Sequence, residues 1–204
     1  MEPTRLVTDR LLLRPFGLSD VPAVHAACQD PLIPRWTVVP SPYSLRDAEE
    51  FVTEHSARGW ERDETYNFAV TDRADGSLVG AMGLVHLEHL AAPVRQAELG
   101  YWTAAPYRRR GMTAEAATAV VRWAFTELGV ERLEWCAEAG NEASRAVALK
   151  VGFRMEGTAR AQYPRGGTRR DAWRGSLLPG DLGLTGGAPY LPYREGEPVE
   201  SSPR

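Results

Sequence analysis

The stretch that decides the fold reads Ala97-Glu98-Leu99-Gly100-Tyr101-Trp102 and, after three intervening residues, Pro106-Tyr107-Arg108-Arg109-Arg110-Gly111-Met112-Thr113-Ala114-Glu115-Ala116. Its first part is typical of a β-strand, and its second part is a basic turn that leads into a helix. A helix N-terminus carries free N–H groups and the positive end of the helix dipole, which together favour an anion. Gly111 lets the main chain approach a phosphate closely, and the arginines add positive charge. The stretch therefore predicts a strand, an anion-binding turn and a helix.

The turn by itself also fits a simpler interpretation, which is an exposed basic turn before an amphipathic helix. It has neither the G-x-x-x-x-G-K-[ST] motif of a P-loop nor the G-x-G-x-x-G motif of a dinucleotide-binding fold. Three adjacent side chains cannot all point into one site, so we expect one or two of Arg108, Arg109 and Arg110 to face solvent. The rest of the chain has to decide between the two interpretations.

The composition is that of one ordinary globular domain. The chain has 204 residues, a formal net charge of −3 and 43% apolar residues, which is enough for one sizeable core. This acidic balance argues against nucleic acid as the main partner, because phosphate neutralisation needs a basic surface. No window approaches about 18 uncharged apolar residues, and the N-terminus lacks the pattern of a signal peptide, so we expect no membrane partner. Two widely spaced cysteines, Cys28 and Cys136, do not form a disulfide framework, so we expect a reducing, cytoplasmic location.

Outward from the deciding stretch, the pattern predicts the element order β-α-α-β-β-β-α-β-α-β-β. The first strand lies within Arg5 to Phe16, a proline-rich loop covers Asp30 to Tyr43, and the helix after the basic turn runs from about Thr113 to Leu128. We expect residues 1–180 to form one domain and residues 181–204, which are rich in glycine, proline and glutamate, to form a flexible tail. This order predicts a mixed α/β (α+β) sheet covered by helices.

The basic turn resembles the acetyl-CoA-binding motif of the GNAT superfamily, [Q/R]-x-x-G-x-[G/A], as Arg108-x-x-Gly111-x-Thr113. More specifically, the chain resembles the RimJ/RimL branch of that superfamily over about residues 5 to 180. Four further elements in the matching order carry this resemblance: Thr8-Asp9-Arg10-Leu11-Leu12-Leu13-Arg14, Glu98-Leu99-Gly100-Tyr101-Trp102, Asn141-Glu142-Ala143-Ser144 with Lys150-Val151-Gly152-Phe153, and Asp171-Ala172-Trp173. Each element alone is unspecific, but all of them in register are specific. Thr113 stands where the motif usually has a smaller residue, so the turn departs from the pattern there.

This resemblance implies the GNAT fold, with a mixed, mostly antiparallel sheet of about seven strands, about four helices and splayed central strands. It also implies an enzyme, an acetyl-CoA-dependent N-acetyltransferase. The acetyl group would pass to a primary amine, either a protein N-terminal α-amine or an amine of a small molecule, by direct attack in a ternary complex. The alternative is a domain that binds or senses acetyl-CoA without turnover. Dimers are common in the branch, which leaves a homodimer open.

The resemblance also assigns donor-binding roles to residues of this chain. Four of them would contact the pantetheine arm and the thioester: Leu99, Tyr101, Trp102 and Thr103. The pyrophosphate would bind the turn and the start of the helix: Arg108, Arg109, Arg110, Gly111, Met112, Thr113 and Ala114. Asn141 and Ser144 would lie beside the arm, with the Ser144 hydroxyl near the leaving sulfur. The simpler interpretation of Ser144 is a serine in the first turn of a helix.

Glu98 is the preferred general base, either directly or through water. Strict alternation places Glu98 and Trp102 on one face of the strand and Tyr101 on the other. A base matters because an α-amine with a pKa of about 7.7–8.0 is roughly a tenth neutral at pH 7, and a lysine far less. The alternative role for Glu98 is an ion pair with an arginine, and Glu88 and His86 are second choices as the base.

Several other residues suggest chemistry but have simpler interpretations. His86-Leu87-Glu88-His89 lacks further ligands nearby, so we expect no metal. Cys136 is expected to be a small buried residue rather than a nucleophile. Four aromatic residues are candidates for contact with the acceptor: Trp36, Trp60, Tyr163 and Trp173.

Overall fold

A single sheet of eight strands organises the protein in this computed structural model, which describes residues 1–193. The strands, in chain order, are β1 Leu6–Val7, β2 Leu11–Pro15, β3 Tyr66–Asp72, β4 Leu78–Val85, β5 Gln96–Thr103, β6 Arg132–Glu138, β7 Arg154–Arg165 and β8 Thr168–Leu177. The helices are α1 Val21–Cys28, α2 Leu32–Trp36, α3 Leu45–Glu50, α4 Ala57–Arg62, α5 Met112–Thr126 and α6 Glu142–Val151, and a π-helical segment, Phe51–Ser56, joins α3 to α4. The predicted sheet covered by helices is confirmed.

The sheet is mixed and mostly antiparallel, as predicted. Its strand order is β1-β2-β3-β4-β5-β6-β8-β7, in which β5 and β6 pair in parallel and the other neighbours are antiparallel. A parallel pair needs a crossover connection, and α5 supplies it. The described residues form eight strands rather than seven because the segment from Arg5 to Phe16 folds as two strands, β1 and β2, instead of one.

The segment from Asp30 to Tyr43, predicted as a loop, contains the short helix α2. Asp30 Oδ1 accepts a hydrogen bond from the Leu32 amide at 2.9 Å, and Pro31 already has helical backbone angles. Proline is tolerated at the start of a helix because the amide that it lacks would have no partner there. The loop prediction is therefore wrong for this part of the segment.

Alternation along the strands supplies a core on each face of the sheet. Leu99 of β5 belongs to the main core, together with Val120 of α5 and Trp135 of β6. Trp102, on the other face of β5, packs against the smaller core that α1, α2 and α3 cover. The two faces of β5 are therefore arranged as its alternation predicted.

The two central strands pair at their beginnings and then separate. Residues 96–98 of β5 pair with residues 132–134 of β6, and the described register ends there. Further along, β5 continues to pair with β4, and β6 with β8. The facing edges of β5 and β6 are thus left open, which confirms the predicted splay. Open main-chain groups need partners, so this gap suits a ligand that hydrogen-bonds to main chain.

The packed part of the chain continues past residue 180. Leu182 and Leu184 pack against the main core, and the Gly187 amide donates to Glu131 Oε1 at 2.6 Å. The predicted tail, residues 181–204, therefore begins as a packed segment, and residues 194–204 of it lie outside the described residues.

Candidate active site

The turn before α5 has the backbone of an anion site. Gly111 caps the helix at φ 77°, and Arg109 has φ 62°, a left-handed conformation that costs a non-glycine residue about 1–2 kcal/mol. Backbone turned in this way directs successive N–H groups toward one point. Within residues 1–193, the amides of residues 109–114 have no hydrogen-bond acceptor. These donors are therefore free for a ligand.

Two cations from remote parts of the chain flank Gly111. A Cβ placed on Gly111 would lie 3.6 Å from Lys150 Nζ and 3.8 Å from Arg10 Nη2. Arg10 is held in place by Glu115, which accepts from its Nε at 2.7 Å, and by the main-chain oxygen of Arg110 at 3.1 Å. These residues line an open cleft of about 310 Å³ between α5 and the end of α6. The cleft combines free N–H groups with positive charge on one side of the sheet.

Arg108 is engaged by the protein itself. Its guanidinium pairs with Asp30 at 2.7 Å and donates to the Thr103 carbonyl at 3.0 Å. The Thr113 hydroxyl lies 2.7 Å from that of Thr103, so the larger residue at the end of the motif ties the helix start to β5. The other two arginines of the turn are exposed, in agreement with the expectation that one or two face solvent. The Arg108 side chain thus positions the turn.

Some predicted donor contacts have side chains turned into the protein. Leu99 is 2% exposed, and Met112 and Ala114 are 5% exposed, all within the main core. Trp102 packs against the smaller core. A ligand in the cleft or the gap can therefore meet Leu99, Met112 and Ala114 only through their main chain.

Tyr101, Trp135 and Ser144 form a hydrogen-bonded cluster where β5 and β6 separate. The Tyr101 hydroxyl donates to the Ser144 carbonyl at 2.9 Å and accepts from the Ser144 hydroxyl at 3.1 Å, while Trp135 Nε1 donates to Ser144 Oγ at 3.0 Å. Burial raises the pKa of Tyr101 to about 12, so its hydroxyl stays protonated. Asn141 caps α6, because its Oδ1 accepts from the Ser144 amide at 3.2 Å. The structure thus brings Tyr101, Asn141 and Ser144 together.

Glu98 lies on the face of β5 opposite to Tyr101. Among the described residues its carboxylate has no ion-pair or hydrogen-bond partner, so the ion pair considered as an alternative role is absent here. Burial is the main cause of a raised pKa for Glu98; His86 and Arg174 oppose the shift, and Glu134 adds to it. A half-buried carboxylate without a partner and with a raised pKa is suited to accept a proton near neutral pH.

The two second choices for the base lie at the surface. His86 Nδ1 and Glu88 Oε1 are 3.1 Å apart, and both side chains are 60% exposed. Main-chain and His86 hydrogen bonds lower the pKa of Glu88, which makes it a weaker proton acceptor. In the part of the chain that the structure describes, no three His, Cys, Asp or Glu residues are grouped to bind a metal ion. No helix there is long and apolar enough to span a bilayer.

The face that carries Glu98 is bounded by α2 and by the β7–β8 hairpin. Glu138, at the end of β6, is 5% exposed and pairs with Arg35 of α2 at 2.9 Å and with Arg165 of the hairpin at 3.0 Å. The Arg35 hydrogen bond holds the pKa of Glu138 below its usual range, so this carboxylate is ionised. Arg165 also donates to the carbonyls of residues 34 and 37. One buried carboxylate thus links α2 to the β7–β8 hairpin. These two elements form the walls of a groove that leads to Glu98.

Cys136 was expected to be buried, and that prediction is wrong. It is half-buried and lies on the face of the sheet that carries Glu98. Tyr163 of β7 lies beside its thiol, and burial raises the pKa of both groups. A protonated thiol is a poor nucleophile, so Cys136 and Tyr163 provide neutral hydrogen-bonding groups next to Glu98.

The other three aromatic candidates have different surroundings. Trp60 is 1% exposed and packs in the main core, so it cannot contact an acceptor. The Trp173 ring lies 5.2 Å from the Arg145 guanidinium of α6, on the face opposite to Glu98. Trp36 lies beside Gly140, just after the end of β6. Trp36 and Tyr163 are therefore the aromatic candidates that remain for the acceptor side.

Sequence reasoning missed Arg10 and Lys150 as parts of the donor cleft. Each belongs to a segment that carried the family resemblance, yet neither segment points to Gly111 by its own pattern. One signal was available: Lys150 is the only lysine in a chain whose other strong bases are arginines.

The fold and the site define a class of protein, and comparison with known families agrees. The model of the acetyltransferase (GNAT) domain matches residues 10–154. The chain belongs to the GNAT family of N-acetyltransferases, which confirms the predicted family.

Particular relatives refine this assignment. YdaF of Bacillus subtilis strain 168, a proposed ribosomal N-acetyltransferase, is 39% identical over 51% of this chain, a match that spans 55% of YdaF. YoaA of the same organism, an uncharacterised N-acetyltransferase, is 29% identical over 81% of this chain and 92% of its own length. A solved structure from Vibrio cholerae, named as a proposed ribosomal-protein-serine acetyltransferase, has a TM-score of 0.73 and 27% identity over 86% of this chain and 98% of that one. The names of two of these relatives refer to ribosomal substrates, in agreement with the predicted resemblance to the RimJ/RimL branch.

Proposed function

We propose that this chain transfers an acetyl group from acetyl-CoA to a primary amine, by direct attack of the amine in a ternary complex. The observation that carries the proposal is the gap between β5 and β6, with the anion-binding turn on one face of the sheet and the unpaired Glu98 on the other. Because the gap connects the two faces, a donor and an acceptor can meet in it from opposite sides.

The residues around the turn fit the phosphates of acetyl-CoA. The free amides of residues 109–114, the positive end of the α5 dipole and the cations Arg10 and Lys150 all point to one place. A side chain at Gly111 would fill the space beside these cations, which supports close approach of a ligand there. Acetyl-CoA, when bound, supplies an acetyl group activated as a thioester.

The cluster at the gap suits the leaving-group side of the reaction. We assign the main chain of residues 99–103 and the Asn141 carboxamide to contacts with the arm of the donor. The Ser144 hydroxyl, beside the sulfur, donates to the Tyr101 hydroxyl, which burial keeps protonated. To donate to a developing thiolate, Tyr101 would exchange its present hydrogen bond to the Ser144 carbonyl for one to the sulfur. A thiol with a pKa of about 8.5 is already a fair leaving group, so positioning matters more here than acid catalysis.

Glu98 is the proposed general base on the acceptor side. It has no competing partner in the described chain, and burial brings its pKa closer to neutrality, so it can take the amine proton directly or through water. We propose the N-terminal α-amine of a protein or peptide as the acceptor. The names of the relatives support this choice, and an α-amine needs less help with deprotonation than a lysine does.

The test is acetyl-CoA-dependent release of free thiol with a panel of acceptors: N-terminal peptides, lysine peptides, polyamines, aminoglycosides and amino acids. Calorimetric titration with acetyl-CoA runs beside it. We expect binding of acetyl-CoA and turnover with N-terminal peptides. Binding without turnover on any acceptor would overturn the proposal and favour the alternative, a domain that senses acetyl-CoA.

A further inference from the structure

The face of Glu98 carries two arginines, Arg170 and Arg174, that form no ion pair within the described residues. Cys136 of β6 pairs with Arg174 of β8, so these two side chains lie on the same face. Alternation along β8 places Arg170 on that face as well, next to its register partner Tyr163. Both arginines are exposed, and both flank the groove that leads to Glu98.

The other carboxylates of this face are already paired. Glu138 holds the two walls of the groove, as described above, and Glu134 and Glu156 both pair with Arg132, at 3.2 and 2.8 Å. In contrast, Arg170 and Arg174 have no carboxylate within ion-pair distance in the described chain. Among residues 1–193, the charges beside the groove that have no ion-pair partner thus include the Glu98 carboxylate and these two guanidiniums.

We propose that the acceptor is the N-terminus of an acidic peptide, with its α-amine at Glu98, an early acidic side chain at Arg174 and Arg170 further along the same face. This inference rests on the proposed function and narrows its acceptor. β5 and β8 are two strand spacings apart, about 10 Å, and Arg174 lies two residues, about 7 Å, further along the strand than the level of Glu98, which gives about 12 Å in all. An extended peptide rises about 3.3 Å per residue, and the long Arg174 side chain shortens the span, so the acidic side chain belongs to about the second to fourth residue of the acceptor. Arg170 lies four residues further along and would meet a later residue.

Charge complementarity also excludes a class of acceptors. A polyamine or an aminoglycoside carries several positive charges and would meet two unpaired guanidiniums beside the single carboxylate. Like charges across a binding surface suppress association, whereas a guanidinium–carboxylate contact is charge-assisted. We expect one such contact at a partly exposed site to improve kcat/KM by about tenfold, mainly through KM.

The experiment uses three peptides that share an N-terminal serine and a common tail and differ only in residues two to four. These are three aspartates, three asparagines or three arginines, and thiol release gives kcat and KM for each. We expect the aspartate peptide to exceed the asparagine peptide about tenfold, with the arginine peptide lowest, and this order to weaken as salt is added. Equal rates with all three peptides would overturn this proposal but leave the proposed function intact. No turnover with any of them, despite acetyl-CoA binding, would refute both.

Variants test whether Arg170 and Arg174 bind the acidic side chain of the acceptor peptide. Arg174→Gln with Arg170→Gln should abolish the preference for aspartate, measured as the ratio of kcat/KM for the aspartate and asparagine peptides. The ratio is the readout because Arg174 also lowers the pKa of Glu98, so its loss changes both rates together. Arg174→Glu should shift the preference toward arginine. The matched control is Arg122→Gln, which removes one exposed positive charge from α5, on the other side of the sheet. A preference for aspartate that survives in the double variant, or that falls equally in the control, would show that these arginines do not select the acceptor.

Discussion

Replacing Glu98 by glutamine removes the proposed proton acceptor and keeps its size. Because the carboxylate has no ion-pair or hydrogen-bond partner in the described chain, the change should leave its neighbours in place. General-base catalysis contributes about 10²–10⁴-fold. An α-amine is roughly a tenth neutral at pH 7, so a fraction of the acceptor needs no deprotonation by a base. We therefore expect kcat to fall by about 100-fold, the lower end of this range.

The loss should depend on pH in a defined direction. The raised pKa of Glu98 places the acid limb of the wild-type profile above the ordinary glutamate value of 4.5. As the pH rises past the pKa of the amine, the acceptor arrives already neutral and the defect of Glu98→Gln should shrink, to about tenfold near pH 9. The assay is thiol release with an N-terminal peptide between pH 6 and about 9, together with calorimetric binding of acetyl-CoA, which should be unchanged.

Stability provides an independent check on the same variant. A carboxyl whose pKa is raised in the folded state contributes stability that is fully present below the unfolded pKa and lost as the pH rises through the folded pKa. Glutamine does not ionise, so the free energy of unfolding of Glu98→Gln at pH 8 should equal or exceed that of the wild type. The matched control is Glu134→Gln, the adjacent carboxylate that pairs with Arg132, which should change kcat less than threefold. Normal turnover of Glu98→Gln at pH 7, or an equal loss in Glu134→Gln, would refute the assignment of Glu98 as the base.

Three further changes probe the donor side. Gly111→Val should abolish acetyl-CoA binding in calorimetry, because it puts a side chain beside the cations at a residue with φ 77°. The control Gly76→Val, at φ 76° with open space around it, should cost similar backbone strain and keep the affinity. Equal losses of affinity in both variants would point to misfolding. Lys150→Gln should weaken acetyl-CoA binding about threefold to tenfold, and an unchanged dissociation constant at low salt would remove Lys150 from the donor site. Tyr101→Phe should lower kcat about tenfold and the free energy of unfolding by about 1 kcal/mol, measured by thiol release and urea unfolding; a loss of stability with full kcat would leave the hydroxyl a purely structural role.

Much of the site follows from local sequence. The basic turn with Gly111 predicts an anion site because a helix start has free amides and glycine accepts positive φ, and both are properties of a few consecutive residues. The two faces of β5 follow from its alternation, which puts Glu98 and Tyr101 on opposite sides before any tertiary contact is known. The family resemblance, carried by motifs along the chain, added the splay between β5 and β6.

Which groups meet across long sequence separations was decided by the tertiary structure. Arg108, predicted to bind the donor, is held by Asp30, while Lys150 and Arg10 reach Gly111 from the end of α6 and the turn before β2. The register of β5, β6 and β8 decides two further features of the site. It leaves Glu98 without a partner within the described residues, and it places Arg174 beside Cys136. The physical reason is range: periodicity and backbone preference act within a few residues, whereas the pairing of charges depends on distances that only the assembled sheet sets.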